Sequence, residues 1–164
     1  MAYFLTLVRH AKSNWNNDDL QDFDRPLNDR GLRVAPEMGQ RLARKSYNVE
    51  AIISSPALRA MTTAQIIAEE IGFKVDQISL NEDIYEANLD VLVNIVNQFS
   101  ESFNSVMLVG HNPGFTMLTN YLSNAKIDNM PTCSIAQIKF TSNAWSTISE
   151  RSGELVGFDY PKKY

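Results

Sequence analysis

A single cysteine, Cys133, stands among the 164 residues, which excludes an internal disulfide and a cysteine-rich zinc module. No apolar run approaches the roughly 18 residues a membrane-spanning helix needs. Internal repeats with periods of roughly 20–50 residues are absent, as are low-complexity tracts. Positive charge is also short: Lys plus Arg number 15 against 19 acids, a net of −4, which argues against broad capture of nucleic acid or an anionic membrane. Neither a Gly-x-Ser-x-Gly elbow nor a Gly-x-x-x-x-Gly-Lys loop occurs, and this sets aside serine hydrolases and nucleotide-driven kinases. Arg9 and Lys12 follow the first apolar stretch, whereas a secretory signal places its basic residues in front. That stretch reads as a strand, and the protein as cytoplasmic.

What remains is the composition of an ordinary globular chain, 44% hydrophobic and 21% charged. Its length suits one domain spanning residues 1–164. Tyr3–Val8 reads as a buried strand and Asn14–Asp24 as a polar loop. Asn28 is placed to cap a helix running to Arg44, with Ala35, Met38, Gly39 and Leu42 on one face. Pro36 inside it predicts a kink or a late start. A second strand, Ala51–Ile53, leads to Ser55 as N-cap and Pro56 at the first helical position. Ala57, Ala60, Ala64, Ala68 and Ile71 form the buried stripe of that helix, and Gly72 stops it. A weak strand near Gln77–Leu80, a helix over Leu89–Phe99, a strand at Val106–Val109 and a helix ending near Leu122 follow. Ala136, Ile138 and Phe140 alternate with polar residues as a strand, which Thr141-Ser142-Asn143 turns back into another around Trp145–Ile148. Alternating strands and helices predict an α/β fold: a three-layer α/β/α sandwich with a mostly parallel sheet and a C-terminal hairpin.

In such sheets ligands bind beyond the carboxyl ends of the strands. The only two histidines, His10 and His111, both fall at that edge, each directly after a predicted strand. Arg9 adjoins His10, and Arg59 lies in the first turn of the helix after Ser55-Pro56. Two guanidiniums and two imidazoles among helix N-termini describe a phosphate pocket. Arginine forks bind the oxygens of a phosphoryl group in transfer. A neutral imidazole can take that group covalently, and a second, protonated one can donate to an oxygen. Such a site neutralises its charge without a metal ion and without a cofactor.

These residues also carry a resemblance. Leu7-Val8-Arg9-His10-Ala11-Lys12-Ser13 with Asn16 resembles the opening signature of the histidine phosphatase superfamily, the phosphoglycerate mutase-like fold. Arg25-Pro26-Leu27 with Gly31 and Ala35 is similar to its second block. Ser54-Ser55-Pro56-Ala57-Leu58-Arg59-Ala60-Met61-Thr62-Thr63-Ala64 resembles the third, and Gly110-His111-Asn112-Pro113-Gly114 the last. The short chain and the Arg-His-Ala-Lys opening are similar to the small SixA-like branch, named for phosphohistidine phosphatases. The resemblance implies that His10 is the phosphorylated nucleophile, that Arg9, Arg59 and His111 hold the phosphoryl group, and that Asn16 sits at the pocket mouth beside Ser13. Glu86 best matches the general acid of other members, with Glu82 as its rival. Where the family keeps a glycine after the first histidine, this chain has Ala11, which must then hold a negative φ.

Several residues have plainer readings. Asp18, Asp19, Asp22 and Asp24 lack a calcium-loop pattern and read as a solvated acidic loop bordering the substrate path. Arg25 is either an ion-pair partner of those acids or a substrate contact. Cys133 has no basic neighbour in sequence and reads as structural, and Trp15 as a loop anchor. The short span from Arg59 to His111 leaves little room for a lid, so the pocket is expected to be open. The expected partner is then a histidine-phosphorylated phosphotransfer or carrier protein. A small phosphorylated molecule is the alternative substrate, and a non-catalytic phosphate-binding module the alternative class. The chain is expected to be a monomer.

Overall fold

The computed structural model describes residues 2–163. Strand β1 (Tyr3–Arg9) is followed by helix α1 (Asp29–Arg44), strand β2 (Ala51–Ser54), helix α2 (Leu58–Ile71) and the two-residue strand β3 (Ser79–Leu80). Helix α3 (Leu89–Asn97), strand β4 (Ser105–Gly110), helix α4 (Gly114–Leu122) and strands β5 (Ile135–Phe140) and β6 (Gly153–Asp159) complete the order. The six strands form one sheet in the order β3-β2-β4-β1-β5-β6. The first four are parallel, while β5 and β6 run antiparallel as a terminal hairpin.

Strand alternation sorts the core into two faces. Leu5 and Leu7 of β1 and Val106 and Leu108 of β4 pack with Leu92, Ile95 and Val96 of α3 and Phe115, Leu118 and Leu122 of α4. Val8 of β1 and Met107 and Val109 of β4 point the other way, onto Val34, Met38 and Leu42 of α1 and Ala60, Ala64 and Ile67 of α2. The result is the expected three-layer sandwich. Neighbouring β1 and β4 send their chains to opposite faces, through α1 and α4. A crevice therefore opens between their carboxyl ends, and His10 and His111 are the residues that follow those ends.

Local departures have physical reasons. The Asn28 side chain accepts from the Gly31 N–H, so α1 starts directly after its cap and runs unbroken through Pro36; the late start does not occur. Burial of Ala35, Met38 and Leu42 outweighs the roughly 3 kcal/mol that an interior proline costs. Ser55 is not the N-cap of α2: Ala57 occupies that position, and the helix begins at Leu58. Gly72 closes α2 in the left-handed conformation, as expected, at φ 79°. The strand expected at Trp145–Ile148 is instead a 3-10 turn over Trp145–Thr147. Trp145 is wholly buried against Tyr3, Phe99 and Phe140, and its Nε1–H donates to the Phe103 carbonyl at 2.7 Å. The partner of β5 is β6, an edge strand whose two glycines and acidic ends hide its periodicity.

Candidate active site

Four segments converge on the crevice. Arg9 ends β1 and His10 follows it, with the His10 N–H donating to the Gly110 carbonyl at 3.0 Å. Ala11 holds a negative φ, so the missing glycine costs nothing here; its N–H donates to Thr63 Oγ1 of α2 at 2.9 Å. The Cys133 N–H donates to the His10 carbonyl at 3.0 Å, and Arg9 Nη1 donates to the Met130 carbonyl at 2.8 Å. This 130–134 segment thus frames the site from behind, a contribution made through backbone atoms. The Cys133 thiol is buried and pushed up to about 12, which makes it inert.

The resulting cleft, of about 390 Å³, is lined by Arg9, His10, Ser13, Arg59 and His111, with Lys12, Trp15, Asn112 and Thr132 at its sides. His10 Nδ1 lies 2.7 Å from the Ala11 carbonyl, an acceptor, so Nδ1 carries the proton and Nε2 keeps its lone pair. Arg59 Nε donates toward that Nε2 at 3.4 Å. Burial, and after it the charges of Arg59 and Arg9, depress the His10 pKa to about 4, while the bond to the Ala11 carbonyl acts the other way. His10 is a neutral imidazole at pH 7.

His111 departs from expectation. Burial, followed by His10 and Arg59, lowers it to about 3, so in the free site it is neutral rather than an imidazolium. Its Nε2 lies 2.7 Å from Ser55 Oγ, and that oxygen already accepts from the Ala57 N–H at 3.2 Å. The Ser55 hydroxyl thus engages Nε2, while Nδ1 of His111 is buried without a hydrogen-bond partner. The two imidazoles sit with ring centroids 5.2 Å apart. Positive charge in the site rests on Arg9 and Arg59, with Lys12 at its side. Arg9 Nε is likewise buried without a partner.

The acid brought to this site is Asp22, not a glutamate. Its Oδ2 accepts from Arg59 Nη2 at 3.0 Å and from the Tyr85 hydroxyl at 2.6 Å, while Arg59 Nη1 donates to its carbonyl at 2.7 Å. The hydrogen bonds from Tyr85 and Arg59 outweigh partial burial and hold the Asp22 pKa below its ordinary value. Glu86 is exposed and lines a neighbouring depression with His111, Pro113 and Met117 rather than the cleft itself. Glu82 is exposed in its own 3-10 turn, and Asn88 rather than either glutamate caps α3. Ser13 is buried in the cleft wall, whereas Asn16 is exposed and lies outside the lining. Arg25 sits over the Trp15 ring at 4.2 Å with its Nε 3.8 Å from Asp22 Oδ1, so it is an internal partner of the acidic loop. Trp15 itself is 60% exposed. Among the described residues no group of three metal-ligating side chains gathers, and no helix is long and apolar enough to cross a membrane.

Comparison with known proteins agrees with this geometry. The profile of the histidine phosphatase superfamily (branch 1) matches residues 5–98, which carry Arg9, His10 and Arg59. The chain belongs to the histidine phosphatase superfamily, as a phosphatase of its small SixA-like branch. The candidate phosphohistidine phosphatase SixA of Agrobacterium tumefaciens superposes with a TM-score of 0.80 at 27% identity, covering 97% of this chain and 98% of that one. A protein histidine phosphatase SixA bound to tungstate shares the fold at a TM-score of 0.82 and 18% identity, over 96% of this chain and 97% of that one. An uncharacterised chloroplastic protein of Arabidopsis thaliana is 29% identical over 91% of this chain and 72% of its own length. A phosphoglycerate mutase of Borrelia garinii is 39% identical, but over only 43% of this chain and 29% of that one.

Proposed function

We propose that residues 1–164 form a single catalytic domain that removes phosphate from phosphohistidine in a protein partner, without metal or cofactor. The observation that carries this reading is the state of His10: neutral, with its proton on Nδ1 and its Nε2 lone pair facing the arginines of the cleft. Nε2 attacks phosphorus, the bond from phosphorus to the substrate imidazole breaks, and that imidazole takes a proton as it leaves. Water then attacks the phosphoryl group on Nε2, releases inorganic phosphate and returns His10 to its neutral form. Arg9, Arg59 and His111 bind the equatorial oxygens.

Two features favour a phosphoramidate over an ester. An imidazole departs with less proton assistance than an alkoxide, and neither Glu86 nor Glu82 makes a side-chain bond within the site. The cleft is also open beside exposed Trp15 and Lys12, which suits the surface of a macromolecule. The buried, unpaired Cys133 suits a reducing compartment such as the cytoplasm. Hydrolysis of small phosphomonoesters is the second reading, favoured by the position of Glu86 next to His111.

The test is phosphate release from a histidine-phosphorylated carrier protein, beside a panel of phosphomonoesters, with His10→Ala as control. Rapid release from the protein, slow release from the panel and none by His10→Ala is the expected pattern. Release from the panel alone would replace the substrate, and full activity of His10→Ala would overturn the mechanism.

A further inference from the structure

Beside the cleft lies a second depression of about 360 Å³ that shares Lys12 and Thr132 with it. Its other walls are Arg30, Gly31 and Val34 of α1, Pro131 and Cys133, and Tyr160, Pro161 and Lys162 beyond β6. No acidic residue lines it. Among the described residues, the side chains of Lys12, Arg30 and Lys162 make no ion pair or hydrogen bond. In a protein of net charge −4, a concavity beside the phosphate site whose only charged residues are cationic is a local reversal of field. The floor is apolar, with Val34 only 8% exposed.

Two shallow depressions side by side do not suit a small phosphomonoester, which fills the first and leaves the second empty. They suit an extended ligand with one anionic group in each. Resting on the phosphohistidine reading above, we infer that the second depression is a docking subsite for an acidic side chain of the partner polypeptide, near its phosphorylated histidine. Its carboxylate meets Arg30 and Lys162, and its aliphatic stem lies on Val34 and Pro161. Lys12, shared by both depressions, bridges the carboxylate and the phosphoryl group. Selection among phosphoproteins is then a matter of charge next to the phosphohistidine, read chiefly by Arg30 and Lys162, which take no part in the chemistry.

The test uses two phosphohistidine peptides that differ only in a Glu or a Gln flanking the phosphorylated residue, with phosphoramidate as a probe that fills the first cleft alone. Wild-type protein is compared with Arg30→Gln/Lys162→Gln. The expected result is a KM for the Glu peptide about tenfold higher in the variant, with kcat unchanged and with the Gln peptide and phosphoramidate unaffected. The wild-type preference for the Glu peptide should shrink with added salt. Equal kcat/KM for the two peptides in the wild type, with both hydrolysed, overturns the subsite and leaves the phosphohistidine reading intact. Failure to hydrolyse either peptide or phosphoramidate overturns the phosphohistidine reading itself. Faster turnover of small bisphosphates, lost in the same variant, assigns the depression to a metabolite and overturns the polypeptide.

Discussion

Acidification tests the site directly, because buried His10 and half-buried His111 are the only histidines in the chain. An ordinary imidazole titrates at about 6.5, whereas His10 is pushed down to about 4 and His111 to about 3. At pH 5 an ordinary imidazole is almost fully protonated, and His10 only about one part in ten. The unfolded chain takes up both protons below pH 6.5 and the folded chain does not, so stability falls as the pH falls. Each imidazole's slope rises from half of about 1.4 kcal/mol per pH unit at pH 6.5 toward the full value, so the pair removes about 3 kcal/mol between pH 6.5 and 5. That is a large fraction of the roughly 5–15 kcal/mol that holds a typical domain together. The loss from His10 levels off near pH 4 and that from His111 near pH 3. Imidazole carbon–proton NMR resonances follow the titration, and urea midpoints at pH 7 and pH 5 follow the stability. His10→Gln and His111→Gln should each remove about half of the pH dependence. An imidazole titrating near pH 6.5 in the folded protein would refute the reasoning.

Asp22→Asn removes the carboxylate that competes with an oxyanion for Arg59. With Asp22 40% exposed, the pair is screened, and an exposed pair is worth about 0.2–1 kcal/mol, so tungstate inhibition should tighten by up to about fivefold. Weaker inhibition would show that Asp22 assists binding. Glu86→Gln should change kcat on a phosphohistidine peptide by less than about twofold, against the factor of about 100 or more expected of a true general acid; a loss of that size on a phosphomonoester would establish the ester reading. Activity should survive a chelator unchanged, and a loss restored by Mg²⁺ or Zn²⁺ would disprove the metal-free mechanism.

The frame of the site was legible because chemistry and topology coincide there. Arg9-His10 and Gly110-His111 each end a strand, and the alternation of apolar residues in β1 and β4 says where those strands stop. Contacts that belong to no periodic pattern were not legible. Ser55 looked like a cap because serine before proline usually is one, yet its hydroxyl is engaged by His111 across 56 residues. Asp22 was one acid among four in a polar loop, and only the reach of Arg59 and Tyr85 distinguishes it. Trp145 was read as strand because an isolated bulky residue leaves no sign of which cavity it fills. The 130–134 segment acts through carbonyl and N–H groups, to which sequence is nearly silent.

The acidic loop has one more property. Its base is tied by two hydrogen bonds that pair Ser13 with Leu27: the Asn14 N–H donates to the Pro26 carbonyl at 2.8 Å, and the Asn28 N–H donates to the Lys12 carbonyl at 3.0 Å. Gly31 lets α1 close on the same strand, since a Cβ there would meet the Lys12 carbonyl oxygen at 2.2 Å. None of residues 15–25 is buried in the core. The excursion is therefore a cassette, closed at its neck and joined to the catalytic residues by one aspartate. Changes of length or charge within it leave the backbone bonds that hold His10, to Gly110 and Cys133, in place.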